Sequence, residues 1–178
     1  MGENMRITVL TLFPEFFDSF CRLPVVRRAV EKGICELDIV DLRTFAPGSF
    51  RHLDDSPFGG GPGMVMRCQP VLDALAALKK QETHTVLLSP KGGVFSQKKA
   101  HELAERQDIL LICGHYEGVD ARVENHVDEQ LSIGDYVLTG GEVAATVVID
   151  SVVRLLKGAL RDTATTEESH ENGLLEYP

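Results

Sequence analysis

The amino-acid sequence predicts one α/β domain in which helices flank a mostly parallel sheet. Apolar segments of strand length alternate with segments of helical character, which is the order typical of parallel sheets. The segment 109–113 has no polar alternation and therefore predicts a central strand that is buried on both faces. Three apolar segments run into glycine-containing loops, at 88–93, 113–118 and 132–142. The chain has no internal repeat, and its length suits a single core.

The first part of the chain contains two predicted strands separated by a helical segment. Residues 6–13 form an apolar run that predicts the first strand, and residues 37–42 alternate apolar and acidic side chains, which predicts the second. Between them, residues 15–31 are predicted to be helical, with an interruption at Pro24. The polar, glycine-rich stretch 44–63 is predicted to be a loop, and loops of this length in a compact domain are usually functional or disordered.

The rest of the chain alternates strands and helices and ends in a polar segment. Pro70 suits the first turn of a helix, and Ser96 suits a helix N-cap. The predicted elements are a helix from residue 70, a strand at 85–88, a helix at 96–106, a strand at 109–113, a short helix at 119–127, a long helix at 141–156 and a mobile tail at 161–172.

The composition is that of an ordinary soluble protein and argues against several classes. Of the 178 residues, 43% are hydrophobic and 25% are charged. No apolar run approaches the ~20 residues of a membrane span. The net charge of −9 disfavours a protein that coats nucleic acid, although a local basic patch suffices for an RNA enzyme. Four cysteines without a CxxC pair, and no visible signal peptide, predict reduced thiols and a cytoplasmic location.

The three glycine-containing loops predict one composite ligand pocket. Glycine lets the backbone turn sharply or approach a ligand closely, because no Cβ intervenes. The segment 132–142 is the most informative, since its apolar run breaks at Gly134, resumes, and meets Gly140 and Gly141 before a long apolar element. The sequence lacks the glycine pattern of a dinucleotide-binding loop, a Walker A motif, a GxSxG motif and the second histidine of a zinc-protease helix. Ordinary dehydrogenases, P-loop enzymes and serine hydrolases are therefore disfavoured.

The same loops, together with further motifs, resemble the bacterial tRNA (guanine-N1)-methyltransferase family, a branch of the knotted SPOUT methyltransferases. The motifs follow the family's order and run nearly end to end, so the resemblance does not depend on one glycine loop. They are LFPE at 12–15, DDSPFGGGPGM at 54–64, LSP at 88–90, GHYEGVD at 114–120, SIGDYVLTGGE at 132–142 and GLLEYP at 173–178.

This resemblance implies a deep trefoil knot and an obligate homodimer. It also implies S-adenosylmethionine as the methyl donor, tRNA as the partner, and N1 of guanosine 37, beside the anticodon, as the acceptor. Residues 1–160 would form the donor-binding domain, and residues 161–178 a flexible interdomain linker. The family's usual C-terminal tRNA-binding domain is absent from this chain, which would be either a naturally short member or a piece that ends at a domain boundary. Neither DNA nor a membrane is an expected partner.

Two residues are candidates for the chemistry. Guanine N1 becomes a useful nucleophile only as its proton is lost, and this loss pushes negative charge toward O6. A carboxylate near N1 and a cation near O6 meet both demands, and the resemblance places these roles at Glu168 and Arg154. The family usually has aspartate in place of Glu168, and a displacement of ~1 Å by the extra methylene can cost ~100-fold in rate. From the sequence alone, Arg154 also suits a helix ion pair with Asp150.

The resemblance assigns the other candidates to the donor pocket and the substrate site. The candidate donor-binding residues are Leu88, Ser89, Pro90, Gly114, Tyr116, Glu117, Gly118, Ser132, Ile133, Gly134, Tyr136, Leu138, Gly140 and Gly141. The candidate substrate-binding residues are Asp54, Gly59, Gly60 and Gly61. Dependence on Mg²⁺ is a property of the family that Glu117 would serve, but no cluster in the sequence indicates metal ligands.

Two other functions stay open from the sequence. One is a donor-binding module without turnover, which is favoured by Glu168, by the absent domain and by Phe50, since the family commonly has His-Arg where this chain has Phe50-Arg51. The other is a knotted methyltransferase with another RNA target, such as a ribose 2′-hydroxyl. Donor binding without methyl transfer would select the first, and mapping of the methylated atom would select the second.

Overall fold

Strands and helices alternate along the chain, as the sequence predicts. The computed structural model describes residues 4–46, 52–57 and 59–160. The strands are β1 (Met5–Thr11), β2 (Cys35–Asp41), β3 (Asp54–Asp55), β4 (Val65–Met66), β5 (His84–Val94), β6 (Asp108–Cys113) and β7 (Glu129–Ser132). The α-helices are α1 (Pro24–Glu31), α2 (Cys68–Leu78), α3 (Gln97–Ala104) and α4 (Glu142–Val153).

Five of the strands form one sheet in the order β2-β1-β6-β5-β7. All four pairings in this sheet are parallel, which confirms the predicted α/β class with a parallel sheet. Strand β6 lies at the centre and every one of its residues is buried, as its unbroken apolar character predicts. Strands β3 and β4 form a separate antiparallel pair.

Helices cover both faces of the sheet, and successive residues of β6 point to opposite faces. Ile109 and Leu111 join a core that includes residues of α1, α3 and α4, whereas Leu110 and Ile112 join a core that includes residues of α2. Full burial of such an aliphatic side chain contributes ~2 kcal/mol to stability. Packing on both faces therefore fixes β6 and, with it, the loop that follows it.

Several predicted elements differ from those observed. The segment before Pro24 contains two short 3₁₀ helices, Pro14–Phe17 and Phe20–Arg22, in place of a longer helix. Phe17 is buried in the core that includes residues of β1, β6 and α4, so tertiary packing of this side chain overrides helical regularity here. The predicted helix at 119–127 is also a 3₁₀ helix, Ala121–His126. Strand β7 was not predicted.

Strand β5 is longer than predicted and contains a bulge. Leu88 and Gly93 both pair with Leu131 of β7, so residues 89–92 loop out of the sheet between them. The predicted loop at 88–93 is therefore an interruption within one strand. It displaces Ser89 and Pro90 from the ladder toward the end of the sheet.

Some predictions fall outside the described residues. These are the polar tail at 161–172, the motif at 173–178, Glu168 and Phe50. Within the described ranges, no helix has both the length and the apolar character that crossing a membrane requires.

Candidate functional site

A cavity lies where β5, β6 and β7 end, and we refer to it as the edge cavity. These strands are neighbours in a parallel sheet, so their carboxyl ends meet at one edge, which is where α/β proteins commonly bind ligands. All candidate donor-binding residues predicted from the sequence line the edge cavity. The three glycine-containing loops thus line one cavity, and ligand binding by these residues stays a prediction. The lining also includes Lys91, His115, Val119, Glu124, Val137 and Thr139.

Two glycines allow the walls of the edge cavity to touch. The backbone N–H of Gly141 donates to the carbonyl of Gly114 over 2.9 Å. A Cβ added at Gly141 would lie 2.7 Å from Cα of Cys113, and one added at Gly140 would lie 2.2 Å from the His115 ring. Any larger residue at either position would push the loop after β6 away from the start of α4.

The loop 114–118 is also joined to β4. The backbone N–H of Glu117 donates to the carbonyl of Met64 over 2.9 Å, and that of Met66 donates to Gly118 over the same distance. Tyr116 within this loop has a φ of 61°, a left-handed conformation that costs a non-glycine residue ~1–2 kcal/mol. The backbone hydrogen bonds around Tyr116 hold it in this strained conformation. Strain of this kind at a residue that lines a cavity is typical of a ligand site.

Of the candidate substrate residues, Asp54 lies in β3, which pairs with β4 beside the cavity-lining Tyr116. Burial raises the pKa of Tyr116, and the carboxylate of Asp54 nearby raises it further, so these two side chains are neighbours. Gly59, Gly60 and Gly61 all have positive φ, and a Cβ at any of them would meet no atom within 4 Å. In the described part of the chain these glycines do not line the edge cavity.

A buried hydrogen-bonded chain behind the cavity was not predicted from the sequence. Glu142, only 5% exposed, accepts from the Thr11 hydroxyl over 2.6 Å and lies 2.6 Å from Nε2 of His115. These residues come from the end of β1, the loop after β6 and the start of α4. Thr11 and Glu142 are 131 positions apart, so no local spacing in the sequence could have indicated the contact.

Cys113, at the base of the cavity, is not a candidate nucleophile. It is completely buried. Burial raises the pKa of its thiol well above the usual range, and the nearby Glu142 carboxylate adds to the effect. Since the thiolate is the reactive form, this thiol is inert.

Of the two predicted catalytic residues, only Arg154 lies within the described ranges. Arg154 follows α4, whose first residue, Glu142, lies at the cavity. Twelve residues of α-helix span ~18 Å, so Arg154 sits at the opposite end of this helix. It does not line the edge cavity among the described residues. Glu168 lies outside the described ranges.

The described residues do not contain an evident metal site. Within the described ranges, no group of three or more His, Cys, Asp or Glu side chains is placed to hold a metal ion. The side chain of Glu117 lies over Gly63, where an added Cβ would be 2.4 Å from its Cγ.

The fold and the cavity define a class: an α/β protein with a cavity at the carboxyl edge of a parallel sheet. Sequence comparison defines it further, because the chain belongs to the tRNA (Guanine-1)-methyltransferase TrmD family, whose model matches residues 5–178. A protein of Heliobacterium modesticaldum named tRNA (guanine-N(1)-)-methyltransferase is 54% identical over 98% of this chain and 68% of its own length. Proteins of the same name from Anoxybacillus flavithermus and Dictyoglomus turgidum are 49% and 46% identical, again over 98% of this chain and over 73% and 71% of their own lengths.

Proposed function

We propose that this chain is an enzyme that methylates N1 of guanine in tRNA, with S-adenosylmethionine as the donor and guanosine 37 as the target. Family membership and the shared name of its relatives support the reaction and the RNA substrate. The observation that carries the proposal is the edge cavity, around which all candidate donor-binding residues gather. The alternatives that the sequence leaves open have no observation in their favour among the described residues.

The chemistry of the cavity suits the donor. Backbone N–H and C=O groups of the glycine-containing loops can pair with the edge of an adenine ring, and Leu88, Ile133 and Leu138 offer apolar contact. The carboxylates of Glu117 and Glu124 also line the cavity and complement a positively charged ligand. When bound, the donor would supply an electrophilic methyl group on a cationic sulfur. The protein's contribution is then mainly to hold donor and guanine in line.

The acceptor needs a base at N1 and a cation at O6. We assign the base to Glu168 and the cation to Arg154. A guanidinium aimed at O6 stabilises the charge that develops as N1 loses its proton, and preorganised charges of this kind contribute strongly to catalysis. Asp54 and the glycines at 59–61 would hold the guanosine on the β4 side of the cavity, where Asp54 neighbours Tyr116.

The position of Arg154 favours a site shared by two chains of a homodimer. Arg154 is separated from the edge cavity by the length of α4, whereas an arginine side chain reaches only ~7 Å. Near the cavity end of α4, Val143 and Val147 are 46% and 39% exposed, and Phe16, on the 3₁₀ helix that contacts α4, is 44% exposed. An apolar surface of this kind is typical of a subunit interface. The proposal therefore includes a homodimer in which each chain supplies Arg154 and Glu168 to its partner's cavity.

The remaining parts of the proposal come from the family resemblance. They are the trefoil knot, a donor-binding domain at 1–160 followed by a linker at 161–178, and a cytoplasmic location. Dependence on Mg²⁺ belongs here as well, with Glu117 as its candidate ligand. Because the described residues form no metal cluster, no step of the reaction is assigned to a metal ion.

Single-turnover methyl transfer tests the reaction. Labelled S-adenosylmethionine is mixed with the protein and a tRNA transcript carrying guanosine at position 37, beside a matched transcript with adenosine there. Label is expected only in the guanosine transcript, and mapping should place it on the base at N1. Label in a ribose, or equal label in both transcripts, would refute the assignment. Donor binding without transfer, unrestored by Glu168→Asp or by an appended family C-terminal domain, would select a non-catalytic module.

A mixture of two inactive variants tests the shared site. Glu168→Ala removes the proposed base, and Gly140→Val fills the space beside His115 in the cavity wall. After subunit exchange, half of the dimers carry one of each chain and one intact site, so about a quarter of the wild-type activity should return. No recovery, with exchange confirmed by mass spectrometry, would argue against sites built from two chains.

A further inference from the structure

The buried chain formed by Thr11, Glu142 and His115 links three parts of the molecule at the edge cavity. Glu142 is the first residue of α4, Thr11 is the last residue of β1, and His115 follows β6 and lines the cavity. A buried carboxylate is costly unless hydrogen bonds compensate for its lost hydration. Here each oxygen has its own partner, Oε1 with Thr11 and Oε2 with His115, both at 2.6 Å.

The hydrogen positions in this chain follow from its chemistry. The Thr11 oxygen accepts from the backbone N–H of Phe13 over 2.9 Å, and its own hydrogen is directed to Glu142. A carboxylate has no hydrogen to donate, so Nε2 of His115 must carry the proton in the contact with Oε2. The network therefore requires a histidine that is protonated at Nε2.

The two segments that this contact joins are adjoining walls of the edge cavity. His115 belongs to the loop 114–118, and Glu142 directly follows Gly140 and Gly141. The backbone already links the walls through the bond from Gly141 to Gly114 and a bridge between His115 and Gly140. The ring of Phe13 also lies against the His115 ring, with centroids 4.8 Å apart. The side-chain bond adds a charge-assisted constraint that comes from the buried Glu142 to the cavity-lining His115.

We propose that Glu142 is a positioning residue for the donor: its carboxylate holds His115 in the Nε2-protonated form and thereby fixes how the two adjoining cavity walls sit against each other. The inference rests on the proposed function of the cavity, and it assigns Glu142 no contact with donor or guanine. Loss of this buried, charge-assisted bond is expected to weaken donor binding about tenfold. The effect should appear in the affinity and KM for the donor, and not in the KM for tRNA.

Glu142→Gln tests the requirement for the carboxylate. The amide oxygen can still accept from Thr11, but its NH₂ group then faces Nε2 of His115, and two donors cannot pair. We expect His115 to move its proton to Nδ1. Long-range ¹H–¹⁵N spectra of histidine-labelled protein report this directly, with the His115 signals assigned from their absence in His115→Gln. The exposed Glu82→Gln is the matched control for loss of one negative charge, and it should alter neither the tautomer nor donor affinity.

A second pair of variants keeps the test decisive if Glu142→Gln does not fold. His115→Leu removes the donor group to Glu142, whereas His115→Gln places an amide N–H near the former position of Nε2. S-adenosylmethionine affinity should fall about tenfold in His115→Leu, and His115→Gln should recover most of that loss. A role in stability alone would lower the unfolding temperature of the variants without this recovery in donor affinity.

The outcomes separate this inference from the proposed function. Wild-type binding of S-adenosylmethionine, with affinity in Glu142→Gln unchanged within about twofold, would overturn the positioning role alone. A wild-type His115 protonated only at Nδ1 would also overturn it. Failure of the wild-type chain to bind S-adenosylmethionine would overturn the donor assignment and this inference with it.

Discussion

Replacement of Gly141 with alanine tests how closely the walls of the edge cavity approach each other. Gly141 has a φ of −78°, which alanine adopts without strain, so any cost must be steric. The new Cβ would lie 2.7 Å from Cα of Cys113 and 3.0 Å from the backbone nitrogen of Gly114. Both are backbone atoms at the end of the buried central strand β6. They can move away from the new Cβ only if the loop after β6 shifts as a whole. Overpacking of this kind costs ~1–3 kcal/mol, and alanine is also a poorer N-cap than glycine.

We therefore expect Gly141→Ala to lower the free energy of unfolding by about 2 kcal/mol and to weaken donor binding. Gly93→Ala is the matched control, because a Cβ there meets no atom within 4 Å and its φ is not in the left-handed region. Urea unfolding of both variants and the wild type at one protein concentration gives the comparison, since subunit association would make stability concentration-dependent. A difference of less than about 0.5 kcal/mol between the variants would refute the close approach.

Three further predictions concern residues outside the cavity lining. Asp108→Asn is expected to cost ~3 kcal/mol of unfolding free energy, because it removes the nearest counter-charge, at 2.6 Å, from the partly buried Arg6; a loss no larger than that of the exposed Asp18→Asn in the same urea titration would contradict this. Burial opposes ionisation of Asp128, but hydrogen bonds from Thr85 and the charge of Lys79 leave its pKa below the usual value. The stability from this carboxylate is present above the usual aspartate pKa of ~3.9 and is lost as pH falls through the lowered pKa. Asp128→Asn should therefore be less stable than the wild type at neutral pH. Denaturation at a series of pH values should show that the difference in unfolding free energy between the two proteins becomes smaller in acid, and an increase would contradict the prediction. Alkylation of the native protein at mildly alkaline pH should label the half-buried Cys21 before the completely buried Cys113, because burial raises the pKa of the Cys113 thiol. Peptide mass spectrometry gives the order of labelling, and the reverse order would contradict the conclusion that the Cys113 thiol is unreactive.

Local chemical signals predicted much of the fold and the lining of the cavity. The unbroken apolar character of 109–113 predicted the central strand, because only a strand covered on both faces tolerates it. Ser96 was predicted as an N-cap, and its hydroxyl oxygen accepts from the backbone N–H of Lys99. The glycine-containing loops predicted the cavity because glycine is required wherever two backbone segments touch, as at Gly141.

The elements that were missed depend on contacts distant in the sequence. Strand β7 contains one aliphatic residue, Leu131, and becomes a strand by pairing with β5. The first helical segment is divided because the burial of Phe17 sets its path. Nothing in the sequence indicated the role of Glu142, because the helix dipole favours an acidic residue at the start of any helix. Only the fold brings Thr11 and His115 to its two oxygens.

The bulge in β5 has a consequence for how this cavity can change during evolution. Leu88 and Gly93 both pair with Leu131, and the ladder continues in register on each side of the looped-out residues 89–92. The length of the segment 89–91 is therefore independent of the sheet register that fixes the core, whereas Gly92 packs against the backbone of Gln130 in β7. Insertions or deletions between Leu88 and Gly92 would resize one side of the pocket while the strands keep their partners. Diversity in loop length among related proteins is expected to concentrate at this point, where a ligand preference can be altered without a new fold.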